Sequence, residues 1–282
     1  LFISEYVEGS GNNKGIEIYN NSDTEVDMSD YWVLRYSNGS SDYIDGGFTQ
    51  LSGSLAPEDT YVFVNGQTED NDYSPAADTE LQDMADKLDG SYPAPMYMNG
   101  NDAIALVYST DELSSVTPVD LFGKTGQQEM AEASGWAPFT DTTITYNYYT
   151  DNDTIEVGAT ITDYVVPKTD DEGIANFGPY WVAWSKDHTL IRKPDVTQGY
   201  KGNPDLFDVT EQWDTLSAVY DEEESDWVYQ DIWSNLGQHT ITTTSARDFS
   251  KLSKDYLSVY PNPVSHGTFT VSSPYKQQII SV

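Results

Sequence analysis

Leu1-Phe-Ile-Ser-Glu-Tyr-Val-Glu-Gly-Ser-Gly-Asn-Asn-Lys-Gly-Ile-Glu-Ile-Tyr-Asn20 opens the chain, and its reading decides the fold class. Residues 2–7 and 15–20 are short bursts of Ile, Val, Phe and Tyr, and Gly9–Lys14 between them is a Gly/Asn turn signal. β-Branched and aromatic side chains fit a pleated, half-buried surface, and Gly and Asn reach the positive φ that a tight turn requires. The stretch is therefore read as a β-hairpin.

The same grammar continues outward. Tyr31–Tyr36 is a third strand, closed by Ser-Asn-Gly-Ser at 37–40. Thr60–Val64 is a fourth, with Val62 and Val64 on one face and Asn65-Gly66 as the turn. Ala103–Tyr108 is a fifth, entered from Asn99-Gly-Asn-Asp102, and Val119–Phe122 is a sixth. Short strands divided by turn residues predict an all-β sandwich or barrel. One segment breaks the pattern. In Ala76–Gly90, Leu81, Met84, Ala85 and Leu88 recur at helical spacing, Asp78 or Thr79 can cap the start, and Gly90 can end it. That predicts one short helix packed over an end of the sandwich.

Residues 124–180 read as an insertion. Thr143–Tyr149 places Ile144, Tyr146 and Tyr148 on one face and Tyr149 on the other. Ile161–Val166 is a further strand stopped by Pro167. Together they predict an extra hairpin region. Trp181–Lys193 returns to strand pattern, and Leu206–Trp213 and Asp231–Thr240 complete a first domain over residues 1–244. Residues 245–255 read as a linker. A C-terminal β fragment follows over 256–282, where Tyr256–Val264 and then Gly267–Ser272 read as strand, Pro-bounded turn, strand.

Charge limits the partners. The 282 residues hold 13 basic and 47 acidic side chains, a net of −34, and 45 of the acidic ones lie in residues 1–244. So acidic a body repels nucleic acid phosphates and anionic membrane surfaces. Basic partners, or divalent cations, are the compatible counterparts. No stretch approaches the roughly 20 apolar residues that cross a bilayer, so no membrane insertion is expected. There is no cysteine, which excludes disulfides, zinc–thiolate sites and thiol nucleophiles.

Two resemblances sharpen the reading. Phe2–Ser10, Asn12-Asn-Lys14 and Ile16–Asn20, then Asn99–Leu106, Val119–Gly123, Asp187–Lys193, and finally Trp213 with Asn235–Thr240, resemble in order the motifs of the lamin-tail domain of secreted bacterial proteins. That resemblance implies an immunoglobulin-like β-sandwich with a binding or scaffolding role over most of residues 1–240, and residues 124–180 depart from it. Leu257-Ser-Val-Tyr-Pro-Asn-Pro-Val264 resembles the start of a type IX secretion C-terminal sorting domain. This implies the type IX secretion machinery as a partner of the tail, and a secreted or outer-surface location on a Gram-negative bacterium of the Bacteroidetes.

The residues show no catalytic signature. His188, His239 and His266 are the only histidines, and the first two are expected to serve structure. Ser185, Asp187 and His188 are neighbours in sequence, which does not make a triad. There is no nucleophile elbow, no H-E-x-x-H and no P-loop. Calcium is the one metal with support, because it takes carboxylate and amide oxygens from loops. Asp151-Asn-Asp153 with Glu156, and Asp70-Asn-Asp72 with Asp78, are the candidate ligands, although Asx-turn chemistry explains both equally well. Tyr146, Tyr148 and Tyr149 are the candidate contacts for a protein or glycan. The expected role is a non-enzymatic adhesion or binding module, with calcium assistance as an option. An accessory module of an extracellular nuclease or phosphoesterase, or a surface-layer component, are the alternatives.

Overall fold

A computed structural model describes residues 1–149, 154–168, 179–217, 219–221, 226–228, 233–242, 258–260, 268–272 and 277–281. The chain divides into two compact units, Leu1–Thr240 and Ile241–Val282.

The first unit is built on the opening hairpin. Strand β1 (Phe2–Glu8) pairs antiparallel with β2 (Lys14–Tyr19), with Tyr6 opposite Ile16 and a bulge between Ile3 and Glu5. The short β3 (Val26–Asp27) leads to β4 (Tyr31–Tyr36), which pairs with β5 (Phe48–Gln50). Then come β6 (Ser54–Leu55), β7 (Thr60–Val64), helix α1 (Thr79–Asp83) and β8 (Lys87–Leu88). Next are β9 (Ala103–Tyr108) and β10 (Thr117–Phe122). A further group follows, β11 (Ala133–Trp136), β12 (Thr142–Tyr149), β13 (Thr154–Ile161) and β14 (Val165–Pro167). Strand β15 (His188–Arg192), helix α2 (Val209–Gln212) and β16 (Trp213–Ser217) complete the framework. One sheet runs β16-β15-β1-β2-β7-β8 and a second runs β10-β9-β4-β5.

The core fills the space between these two sheets. Ile3, Tyr6, Ile16, Ile18, Tyr61, Phe63 and Leu190 come from the first sheet, and Val33, Ile104, Leu106 and Phe122 from the second. Tyr6 stacks on Phe122 with ring centroids 4.0 Å apart. Each such side chain removed from water stabilises the fold by about 1.5–3 kcal/mol. The all-β sandwich expected from the turn spacing is the fold observed, with two short α-helices among the described residues.

One buried ion pair ties the two sheets together, and a second lies within the four-stranded sheet. Arg192 on β15 meets Asp120 on β10 at 3.1 Å, and both are buried. Asp120 Oδ2 also accepts from the Ile3 N–H at 2.8 Å, and Oδ1 accepts from the Tyr200 N–H at 2.7 Å. Arg35 and Asp102 are 3.8 Å apart, and Asp102 accepts from the N–H groups of Asn38 and Asn99. The Asn99–Asp102 turn is thus closed by its own aspartate.

Several sequence expectations change. The predicted helix over Ala76–Gly90 is only Thr79–Asp83, capped by Asp78 through the Glu80 N–H. Residues 87–88 leave the helix to pair parallel with Phe63 and Val64, because strand pairing at the sheet edge outweighs one more helical turn. Leu88 is consequently exposed. A second helix was not expected within Leu206–Trp213. Its signal is Asp208-Val-Thr-Glu211, where the Asp208 carboxylate accepts from the Thr210 N–H and Oγ. The partner of Thr142–Tyr149 is Thr154–Ile161 in full register, rather than Ile161–Val166. A turn with positive φ at Asp163 and Tyr164 separates β13 from β14.

The segment 124–180 is more than an insertion. Ala133, Trp136 and Val165 belong to the main core, and Trp136 packs edge-to-face on Phe122 and Phe207. Asp231–Thr240, expected to complete the first domain, is described from Trp233 onward and contains no strand there. Instead it covers the outer face of the six-stranded sheet: Trp233 and Leu236 join Val7, Val62, Val64 and Leu81 in a second apolar cluster. This cover explains why β1 and β2 are buried at every position.

In the second unit, strands Ser258–Tyr260, Thr268–Ser272 and Gln277–Ser281 form an antiparallel three-stranded sheet. Among the described residues no helix is long and apolar enough to cross a membrane.

Candidate functional site

A wide depression in the first unit lies between two loops at one end of the sandwich. The loop after β7 supplies Gly66, Gln67, Glu69, Asn71 and Tyr73, and the loop after β8 supplies Asp89, Ser91, Tyr92 and Tyr97. They enclose a cleft of about 860 Å³, within the roughly 300–1,000 Å³ range of ligand sites.

Side-chain amides hold the loops in place. Gln67 Nε2 donates to the carbonyls of Glu69, Ser74 and Pro75 at 3.0–3.1 Å. Gln67 Oε1 accepts from Asn71 Nδ2 and from the Tyr97 hydroxyl, both at 3.1 Å. Asn71 Oδ1 accepts from the N–H groups of Tyr73 and Ser74, an Asx-turn that sets the position of Tyr73. Asn65 Nδ2 crosses to the Met96 carbonyl at 2.7 Å and joins the two loops. The backbones approach closely at Gly66, where a Cβ would lie 2.1 Å from the Asp89 carbonyl oxygen. Only glycine fits there.

Asp89 anchors the second wall. Its carboxylate accepts from Thr49 Oγ at 2.6 Å and from the Met96 N–H at 2.7 Å. Burial pushes this carboxyl above its ordinary range, and the same hydrogen bonds pull the other way. Tyr92 and Tyr97 meet edge-to-face at 5.7 Å, and the Arg35 guanidinium sits 5.6 Å from the Tyr92 ring centre. Tyr73 is 96 % exposed and Tyr92 71 %. Large apolar rings held this open to water are candidates for ligand contact.

The residues singled out in the sequence are placed elsewhere or put to other uses. Asp70 Oδ1 accepts from the Ala76 N–H, and Asp78 caps α1. Asp72 is exposed in the same loop. Glu156 is exposed on β13, opposite Asn147. Asp151 and Asp153 lie outside the described residues. Among the described residues no three acidic or histidine side chains converge on a point that could hold a metal. Tyr146 is half-buried, its ring edge-to-face with Trp181 at 5.0 Å. The side chains of Tyr148 and Tyr149 lie outside the described residues.

Ser185 Oγ donates to the Gly100 carbonyl at 2.6 Å and accepts from the Trp136 N–H at 2.9 Å. His188 Nδ1 contacts the Lys186 carbonyl at 2.5 Å. The two are engaged separately. His239 packs edge-on against Phe2 and Tyr19, and burial, helped by Arg192, lowers its pKa to about 4. His266 lies outside the described residues.

The cleft escaped the sequence reading because its tyrosines are 19 positions apart and belong to two loops. The available signal was the density of Asn, Gln and Ser flanking Tyr73, which is loop-locking chemistry.

Residues 1–124 match the model of the lamin tail domain. They form an immunoglobulin-like sandwich half that includes both walls of the cleft. No curated protein and no solved structure matches the chain.

Proposed function

We propose that the chain is a non-catalytic binding module displayed outside the cell, and that it takes a neutral glycan in the cleft between the loops after β7 and β8. The observation that carries this reading is the pair of exposed tyrosines, Tyr73 and Tyr92, on loops whose amides are already engaged in holding them. Pre-organised rings lose little entropy on binding, and ring faces pack against the C–H surface of a sugar. The hydroxyls of Thr68, Ser91, Tyr73 and Tyr92 and the Glu69 carboxylate line the cleft and can exchange hydrogen bonds with sugar hydroxyls. The net charge of −34 disfavours sulfated or uronic acid chains.

The export route rests on Leu257–Val264, whose likeness to a type IX sorting domain supports delivery to the outer surface of a bacterium of the Bacteroidetes. Calcium assistance rests on Asp151-Asn-Asp153. A rise in unfolding midpoint given by millimolar calcium, and absent with magnesium, is its test, since an ion that binds only the folded state raises the midpoint.

Affinity electrophoresis against neutral polysaccharides, together with a basic-peptide panel, tests the cleft. Retardation by a neutral glycan, lost in Tyr73→Ala/Tyr92→Ala with an unchanged unfolding midpoint, supports the proposal. Binding of basic peptides through the same tyrosines replaces the glycan with a protein partner. Binding unaffected by both substitutions removes the cleft from the function.

A further inference from the structure

The outer face of the six-stranded sheet contains two carboxylates that the cleft does not use. Glu5 on β1 and Glu17 on β2 are direct partners in the ladder, so their Cβ atoms are separated by roughly 4.5–5.5 Å. Both are fully buried. The segment Trp233–His239 lies over them. Glu17 Oε2 accepts from the N–H groups of Gly237 and Gln238 at 2.7 and 3.1 Å, and Oε1 accepts from Ser4 Oγ at 2.6 Å. Glu5 Oε2 accepts from Asn235 Nδ2 at 2.8 Å, while Glu5 Oε1 is buried with no hydrogen-bond partner. Gly237 has φ +83° with open space around it, the left-handed turn that brings two successive N–H groups onto one carboxylate.

Among the described residues no ion pair reaches either carboxylate. Lys14 bonds Glu8 on the opposite face of the same strands, and Arg192 is held by Asp120. From the β8 side, the Asp86 carboxylate caps the N–H of Val62, the ladder partner of Glu17, and adds negative charge. In the described part of the covering segment the titratable group is His239. Two buried carboxylates side by side cannot both ionise without compensation.

We propose that Glu5 and Glu17 share one proton beneath Trp233–His239, and that loss of this proton releases the segment from the sheet. The proton resides on Glu5, where it gives the orphaned oxygen a hydrogen to donate toward Glu17. Glu17 remains the acceptor for Gly237 and Gln238. Burial, with Glu17 adding to it, raises the Glu5 pKa to about 8, against the opposing Asn235 hydrogen bond. Glu17 is also raised by burial, against the Ser4, Gly237 and Gln238 hydrogen bonds. Release uncovers Val7, Val62 and Val64 and frees the stretch that leads into the second unit at Ile241. The device is a carboxyl latch, closed at neutral and mildly acidic pH and open in alkali.

Hydrogen exchange of the Gly237 and Gln238 amides in the full chain tests it, read between pH 6 and 9 and corrected for base catalysis by reference to Ile16. The latch predicts a loss of protection of about tenfold for one pH unit above the Glu5 pKa. Glu5→Gln is expected to hold protection level across the range. Asn235→Ala is expected to lower protection at every pH with an unchanged slope. Flat protection in the native chain, or the native slope retained in Glu5→Gln, overturns the proposal. A carboxyl ¹³C titration of the native chain gives a second reading. Two apparent steps more than one unit apart for Glu5 and Glu17 support a shared proton, and coincident titration in the ordinary carboxylate range overturns it.

Discussion

Glu5 and Glu17 face each other on adjacent strands, and the backbone N–H that caps Glu17 comes from Gly237, 220 positions away in the chain. Like charges at such a cross-strand position are ordinarily destabilising. Here the pair sits where the last segment of the first unit closes over the sheet, so the chemistry of two carboxyls bears on whether that closure holds.

Glu5 and His239 contribute to the pH dependence of stability with opposite signs. Glu5 is raised from 4.5 to about 8, so its contribution is complete below 4.5 and is lost as pH rises through 8. His239 is lowered from 6.5 to about 4, so its contribution is complete above 6.5 and is lost as pH falls through 4. Between 4.5 and 6.5 the folded chain holds a proton on Glu5 and the unfolded chain holds one on His239, and the two effects offset. Urea midpoints measured from pH 3 to 9 should fall toward pH 9 through Glu5, with Glu17 and Asp89, also raised by burial, adding to that decline, and fall toward pH 3 through His239. A stability maximum above pH 8 would be incompatible with this account.

Removing one member of the Arg192–Asp120 pair leaves a buried charge without its partner. Asp120→Ala also strips the acceptor from the Ile3 and Tyr200 N–H groups. The expected cost is about 3–5 kcal/mol in equilibrium unfolding. Asp120→Asn keeps a neutral acceptor and should cost less. A loss below about 1 kcal/mol for the alanine variant would show that water reaches Arg192 and replaces the carboxylate.

Trp136 and Tyr73 should behave in opposite ways. Trp136 is fully enclosed among Phe122 and Phe207, so Trp136→Ala should cost about 3–5 kcal/mol. Tyr73 is open to water, and Tyr73→Ala should move stability by no more than about 0.5 kcal/mol while reducing ligand retention. Thermal scans beside affinity electrophoresis separate the two. Equal destabilisation would mean that Tyr73 holds its loop rather than a ligand.

Gly66→Ala tests whether the two walls of the cleft depend on each other. The added Cβ cannot fit against the Asp89 carbonyl, so the loops must part, at about 1–3 kcal/mol. Ligand retention should fall with stability, in contrast to Tyr73→Ala. Crystals or chemical shifts showing the Asp89–Met96 hydrogen bond intact would refute the coupling.

Much of the sandwich was legible from local pattern. Tyr31–Tyr36, Thr60–Val64 and Ala103–Tyr108 have the bounds that their turn residues set. What misled was pattern without partners. Leu81, Met84 and Leu88 are spaced for a helix, yet the edge of the sheet draws Lys87 and Leu88 into pairing with residues distant in sequence. Asn235–Thr240 carries no periodicity at all, because its function in the fold is to offer N–H groups and an amide to two carboxylates on other strands. Nothing local to Glu5 and Glu17 announces that a later segment covers them. The cleft was hidden for the same reason, since its rings converge only when two loops are joined by Asn65.

Strand β1 has a neighbour on each side, β2 from residues 14–19 and β15 from residues 188–192. The stretch matching the lamin tail domain stops at 124, short of the second neighbour. Here, therefore, the family boundary is not a folding boundary. A fragment trimmed to residues 1–124 would keep the cleft and both its loops, but it would lose β15, Trp136, Trp213 and the covering segment. One flank of β1, from Glu5 to Glu8, would then present its amides and carbonyls to any passing strand. Such a bare flank recruits a second copy of itself. A fragment meant to present the cleft loops accordingly needs the chain through about residue 240 to keep that flank of β1 paired.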